Sequence, residues 1–359
     1  MCMARILVAG AGIAGCTAAY TLAENKVDVI LIEKTGSIGG NSRGYGCKAI
    51  EKCQNCGVCL TAGLWNKVTK HPGIRPVTHS VIKDIKGKPG AFEVSITGLI
   101  DPNVEQTYTD IDSVIICTGF DNNEHQMSSH LHIIDSTGII TGTQLENLML
   151  DRSESELFDE KPNSIAFIQC VSSRDKNESG LYCSRVCCSY STRSAKIIRE
   201  YYPDCRIVFF YMELQNVEAG DYYAGLHELG IEFIKCRPLK LSGGKPAVIE
   251  YDDPVNGITK GEFDLIVLSN GIHTGRDNEQ IADICGFEQD EDGFMHVLND
   301  NSGFYIAGCA KGPMKIEETY ADAVTIARKI LSRSASHNEQ DIKMPCSLYQ
   351  NISFPESGV

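Results

Sequence analysis

The sequence predicts an α/β protein of two doubly wound halves, and three observations predict it. The chain opens as apolar strand, glycine turn, apolar helix and second strand. A second α/β alternation begins near Ser164 without a glycine turn of its own. Eight of the sixteen cysteines fall into two short clusters, one of them where that second turn should be.

Arg5 to Ala9 reads as a buried strand, Gly10 to Gly15 as a turn and Cys16 to Ala23 as a helix, with Asp28 to Glu33 as the returning strand. Gly10-Ala-Gly12-Ile-Ala-Gly15 fits G-x-G-x-x-G. The first glycine permits the turn, the second lets backbone approach a pyrophosphate, and the third lets helix pack on strand. Free N–H groups at the helix start then face the phosphate. Glu33, at the end of the second strand, is placed to accept from a ribose hydroxyl. The plainer reading is a glycine-rich turn in an ordinary α/β domain.

Ile38 to Pro76 is irregular and reads as a loop excursion. Val77 to Ile100 and Gln106 to Phe120 read as strands, the last a buried one halted at Gly119. The polar stretch Asp151 to Asn163 is the linker candidate. Beyond it come strand Ser164 to Gln169, a cysteine-rich turn, helix Arg185 to Tyr201, strand Arg206 to Met212, helix Ala219 to Leu229, strand Ile231 to Lys235, a hairpin, and strand Phe263 to Leu268. Gly303 to Gly308 followed by Pro313 to Leu331 reads as a strand running into a long helix. The expected division is therefore 1–155 with 276–332 as a dinucleotide-binding domain carrying a cysteine-rich loop at 41–76, 160–275 as an inserted α/β domain, and 333–359 as a tail.

Composition sets further bounds. A net charge of −14 opposes binding to nucleic acid or anionic lipid. No apolar run is long enough for a membrane span, and the N-terminal stretch lacks a signal-peptide pattern, so a cytoplasmic protein is expected. In that compartment thiols stay reduced, and dense cysteines point to metal or redox use rather than a disulfide framework.

Cys170, Cys183, Cys187 and Cys188 lie within 19 residues, at the end of one strand and the start of a helix. Four thiolates there can hold a 4Fe-4S cluster, aided by the helix N-terminus. Zinc would accept the same donors, and unconnected core cysteines are the plain alternative. Cys47, Cys53, Cys56 and Cys59, spaced C-x5-C-x2-C-x2-C, can wrap a second cluster, bind zinc, or supply a redox dithiol from Cys53/Cys56 or Cys56/Cys59. His71, His79, His125, His130 and His132 have no ligand spacing beyond a loose His130-x-His132, and Trp65 reads as core.

Gly39-Gly40, the strand ending in Thr118-Gly119, and Gly303-Phe-Tyr-Ile-Ala-Gly308 resemble the later landmarks of the two-dinucleotide-binding-domain flavoproteins, the disulfide reductase-like group. That resemblance implies noncovalent FAD, with Gly10, Gly12, Gly15 and Glu33 on its ADP half and Gly308, Cys309 and Lys311 near its flavin end. Ser164 to Gln169 runs straight into Cys170, so a second nucleotide has no glycine cradle.

Together with Ala307-Gly-Cys-Ala-Lys-Gly-Pro313, the cysteine block from Ile168 to Cys188 resembles the flavin-bearing component of heterodisulfide reductases and its short relatives in sulfur-oxidising and quinone-interacting complexes. This implies an oxidoreductase component that moves electrons between FAD and a 4Fe-4S cluster held by Cys170, Cys183, Cys187 and Cys188. Its implied partners are other iron-sulfur subunits, and a homodimer is compatible with the same reading. Where that family carries a lysine after the cysteine pair, this chain has Arg193, expected near the flavin as the catalytic group; no C-x2-C-x2-C-x3-C-P run is present. Two other readings stand beside it: a stand-alone NAD(P)H-dependent flavin disulfide reductase, and a zinc-stabilised interaction protein.

Overall fold

The computed structural model describes residues 4–122, 131–133, 135–150, 157–175, 180–215, 221–298, 302–333 and 343. His125, His130, Cys2, Cys346, half of the expected linker and nearly all of the expected tail lie outside them. The chain forms two compact units, one of residues 1–43, 57–121 and 274–359 and the other of residues 44–56 and 122–273.

The first unit opens with β1 (Arg5–Ala9), α1 (Ile13–Glu24) and β2 (Asp28–Ile32), the two strands parallel. Successive β1 side chains enter opposite cores, Ile6 and Val8 on the α1 side, Leu7 and Ala9 on the other. That two-faced burial is why the strand is apolar at almost every position. Residues expected to form only a loop contain α2 (Val58–Lys70) and β3 (Ile74–Val77), the latter parallel to β2. Leu60, Leu64 and Val68 recur every fourth residue on the buried face of α2. An antiparallel meander follows, β4 (Ser80–Lys88), β5 (Ala91–Gly98) and β6 (Glu105–Ile111), and then β7 (Ser113–Ile116) pairs parallel with β1.

In the second unit β8 (Ile139–Thr141) leads into α3 (Gly142–Leu148), which starts with a reciprocal cap between Thr141 and Gln144. Next come β9 (Ser164–Val171), α4 (Cys187–Tyr201), β10 (Arg206–Tyr211), α5 (Asp221–Glu228) and β11 (Glu232–Lys235). An antiparallel trio, β12 (Lys240–Ser242), β13 (Ala247–Asp253) and β14 (Gly257–Phe263), precedes β15 (Leu265–Asn270). The main sheet is parallel in the order β11-β10-β9-β15-β8. Residues 139–150, expected in the first half, belong here because Ile139 and Ile140 pair with Ile266 and Val267 of β15.

The chain then returns to the first unit with α6 (Asn278–Cys285), β16 (Phe304–Ile306) and α7 (Ile316–Arg333), completing a parallel sheet in the order β16-β7-β1-β2-β3. Each sheet reverses its winding direction once, between β1 and β7 in the first and between β9 and β15 in the second. Ligands of such sheets bind at the carboxyl ends of the strands flanking that reversal. Those ends are Gly10 and Cys117 in one unit, Cys170 to Val171 and Asn270 in the other.

Candidate functional sites at the two strand-end crevices

In the first unit the glycine landmarks converge on the start of α1. A Cβ on Gly10, whose φ is +103°, would lie 2.2 Å from the Cys117 carbonyl oxygen and 3.2 Å from the Thr118 nitrogen. A Cβ on Gly15 would lie 1.8 Å from the Gly10 oxygen, and one on Gly40 would lie 3.0 Å from the Gly12 Cα. Gly39 N–H donates to Ala11 O at 2.7 Å. Around Gly12 itself there is open space, with nothing within 4 Å of an added Cβ, and the N-cap of α1 receives no side-chain hydrogen bond. An uncapped helix start beside an open glycine is an anion cradle.

Glu33 is buried and accepts from Ala11 N–H at 2.9 Å and from both the backbone and hydroxyl of Thr35 at 2.8 Å. A carboxylate offers about four acceptor positions, so capacity for a further donor remains. The Thr118 hydroxyl donates to Asn278 Oδ1 at 2.8 Å, and Gly119 turns the chain with φ +76°. At the other end, Gly308 packs on α1, where an added Cβ would lie 2.7 Å from Ala14 Cβ. The expectation that Gly308, Cys309 and Lys311 present themselves to a flavin meets competition from α7: Asp322 accepts from Gly308 N–H at 2.8 Å and from Lys311 Nζ at 2.5 Å. The buried Cys309 thiol donates to Met314 O at 3.6 Å.

In the second unit Cys170 lies at a bulge where the β9–β15 register shifts, and its φ is +59°. Ser172, Arg174 and Arg185 also adopt left-handed conformations. Each such non-glycine residue costs on the order of 1–3 kcal/mol, and bulges re-aim side chains beside functional sites. Cys187 and Cys188 occupy the first turn of α4, which has no side-chain cap. Cys170, Cys187 and Cys188 are buried and Cys183 is half-buried.

These four thiols act on one another. Burial, then the Cys188 charge, pushes Cys170 up to about 11, while Arg174 pulls it back. The Cys187 thiol donates to Cys188, which holds Cys187 protonated and lowers Cys188 to about 7. Among the described residues, no group of three or more His, Cys, Asp or Glu is arranged to enclose a single metal ion.

The other cysteine group is divided between the units: Cys47, Cys53 and Cys56 lie in the second, while Cys59 is in the first turn of α2 in the first unit. Cys47, Cys53 and Cys59 are exposed and Cys56 is half-buried. Residues 44–56 are fastened onto the second unit by contacts the sequence does not announce. Lys48 forms a buried ion pair with Glu146 of α3 and donates to Gly46 O at 2.9 Å. Arg193 of α4 donates through Nε to Gln54 O at 3.0 Å and through Nη2 to Asn55 O at 3.1 Å. Arg193, expected as the catalytic group, thus spends two of its donors on loop carbonyls and positions the segment between Cys53 and Cys56.

The buried pair carries a stability prediction. Burial pushes the Glu146 carboxyl above the usual carboxylate range even though Lys48 draws it down. Lys48→Met leaves that carboxylate without its partner, and breaking a buried pair costs about 3–5 kcal/mol. A carboxyl with a raised folded-state pKa loses stability as pH rises through that value. The loss measured by chemical denaturation should therefore be greatest at neutral pH and shrink as pH is lowered; an equal loss at every pH would refute the assignment.

Residues 8–59 match the NAD(P)-binding Rossmann-like domain family. The chain is 25% identical over 421 residues to one component of the ferredoxin/F(420)H(2)-dependent CoB-CoM heterodisulfide reductase of Methanosarcina acetivorans, covering 91% of this chain and 53% of that protein. It is also 25% identical over 410 residues to the corresponding iron-sulfur component of the CoB–CoM heterodisulfide reductase of Methanocaldococcus jannaschii, covering 88% of this chain and 62% of that one. The chain thus spans a little over half the length of these relatives. In fold it matches the thioredoxin reductase of T. acidophilum with a TM-score of 0.63 at 18% identity, covering 92% of this chain and 98% of that one. No helix among the described residues is long and apolar enough to cross a membrane. Over about nine-tenths of its length the chain is therefore similar in sequence to this component of heterodisulfide reductases, on a thioredoxin reductase-like disulfide reductase fold.

Proposed function

We propose that this chain is an electron-transfer component of a heterodisulfide reductase-like complex, working between FAD in its first unit and a 4Fe-4S cluster in its second. The observation that carries the reading is the replacement of the second glycine cradle by four mutually interacting thiols at the strand-end crevice. The two halves share one architecture, and only the first retains the uncapped glycine turn that a pyrophosphate requires.

FAD exchanges electrons in pairs and an iron-sulfur cluster takes them singly, so the two together join two-electron to one-electron chemistry. The chain's own residues fit both groups. Gly10, Gly12, Gly15, Gly39 and Gly40 shape the phosphate cradle, Glu33 has acceptor capacity for a ribose hydroxyl, and Thr118 lies beside Gly10 at the strand end. Cys170, Cys183, Cys187 and Cys188 supply four thiolates, with the positive end of α4 favouring the charged form. Arg193 and the Lys48–Glu146 pair fix the loop that bears Cys53 and Cys56. Partner subunits carrying further clusters would donate or accept the electrons.

Anaerobically purified protein should contain FAD with about four iron and four acid-labile sulfides per chain at the principal site. NAD(P)H added alone should leave the flavin band unbleached. Stoichiometric bleaching by NAD(P)H would favour the stand-alone disulfide reductase, and zinc without sulfide would favour the structural-metal reading.

A further inference from the structure

We propose that Ser173, Arg174 and Ser184 form a set of hydrogen-bond donors that raises the reduction potential of the cluster held by Cys170, Cys183, Cys187 and Cys188. The proposal rests on the assignment of that cluster under the proposed function. Ser173 is 1% exposed and Ser184 is fully buried, and neither hydroxyl has a hydrogen-bond partner among the described residues. The Arg174 Nη1 is likewise enclosed and unpartnered, although Nη2 bonds Glu213 at 3.0 Å.

These three groups are gathered by the backbone. Ser184 follows Cys183 directly, and Ser173 N–H donates to the Cys170 carbonyl at 3.3 Å. Arg174 N–H donates to Tyr182 O at 3.1 Å, tying the segment after Cys170 to the one before Cys183. Both serines meet Gly271 at the end of β15, where an added Cβ would lie 1.8 Å from Ser184 Oγ and 3.6 Å from Ser173 Cβ. They thus occupy the crevice between β9 and β15 where the sheet reverses, the same place as the cysteines. The Arg174 guanidinium also interacts with the Cys170 sulfur.

A buried hydroxyl left without a partner forfeits the hydrogen bonds that it made to water in the unfolded chain. Three unpartnered donors in one crevice therefore mark an acceptor that is part of the working site. Sulfur atoms of an anionic cluster are such acceptors, and hydrogen bonds to them favour the state carrying the extra electron. Gln169 Oε1 and Asn270 Oδ1, unpartnered at the same strand ends, are acceptors themselves and call for ordered water instead. The step tuned is the addition of one electron, with no bond made or broken; in the test below dithionite supplies that electron.

The test is a dithionite titration of the anaerobically purified full chain, followed by electron paramagnetic resonance, on wild type, Ser173→Ala, Ser184→Ala and Arg174→Met. Each variant should keep its iron and sulfide and be harder to reduce by about tenfold, equivalent to about 59 mV for one electron. Ser173→Thr should restore the wild-type value. Unchanged midpoints in iron-replete variants would overturn the proposal. Electron–nuclear double resonance on the wild-type protein in H2O and D2O gives a second readout that needs no variant. Exchangeable protons coupled to the reduced cluster are expected, and their absence would overturn the donor set. Wild-type protein without iron and sulfide would instead sink the cluster assignment itself.

Discussion

Cys187→Ser/Cys188→Ser protein, purified without oxygen, is expected to retain its flavin absorbance while losing nearly all of its iron and acid-labile sulfide. Both side chains are buried in the first turn of α4, where the Cys187 thiol donates to Cys188. Serine is close in size and keeps a polar head, so the helix loses little packing. It cannot serve as an iron-sulfur ligand of comparable softness at neutral pH, because its hydroxyl holds its proton far more tightly than a thiol does. The proposed flavin cradle belongs to the other unit and is built from glycines, Glu33 and Thr118. In a reconstituted complex the variant should pass no electrons onward. Full transfer activity in the iron-depleted variant would show that electrons bypass this site.

The two α/β halves are legible in the sequence because strands buried on both faces are apolar throughout, and a glycine fingerprint between strand and helix has few other uses. The absence of that fingerprint before Cys170 is as informative as its presence before Cys16. Other features depend on partners far away in the chain. Helix α2 reads as loop because cysteines and glycines crowd its start, although Leu60, Leu64 and Val68 carry the helical period. Strand β8 has only three residues and is recognisable through its pairing with β15, more than a hundred residues later. Arg193 bonds two carbonyls, which any residue type could have supplied, so no pattern marks its partners. The capture of Gly308 and Lys311 by Asp322 is hidden in the same way, as is the meeting of Ser173 and Ser184 at Gly271. A sequence shows which side chains can donate or accept, and the fold decides which of them are left without a partner.

Gly12→Ala and Gly10→Ala should fail in different ways, although both lie in one fingerprint. An alanine methyl at position 12 enters open space in the protein itself, and Gly12 has no left-handed φ that would penalise it. Gly12→Ala should therefore fold with a melting temperature close to that of wild type. In the proposed function the space that it fills is the approach path of a pyrophosphate to the uncapped N–H groups of α1. FAD content on purification should fall by roughly tenfold or more, and added FAD should restore little of it. At position 10 the methyl would meet the Cys117 carbonyl oxygen at 2.2 Å in a conformation with φ +103°, so β1 and β7 must move apart or the turn must be remade. Gly10→Ala should therefore lose stability whether or not FAD is supplied, by about 2 kcal/mol or more, as strain and overpacking at a special backbone position cost elsewhere. Thermal unfolding of both variants with and without excess FAD separates the two effects. Equal FAD content in Gly12→Ala and wild type would mean that the dinucleotide does not lie against this turn.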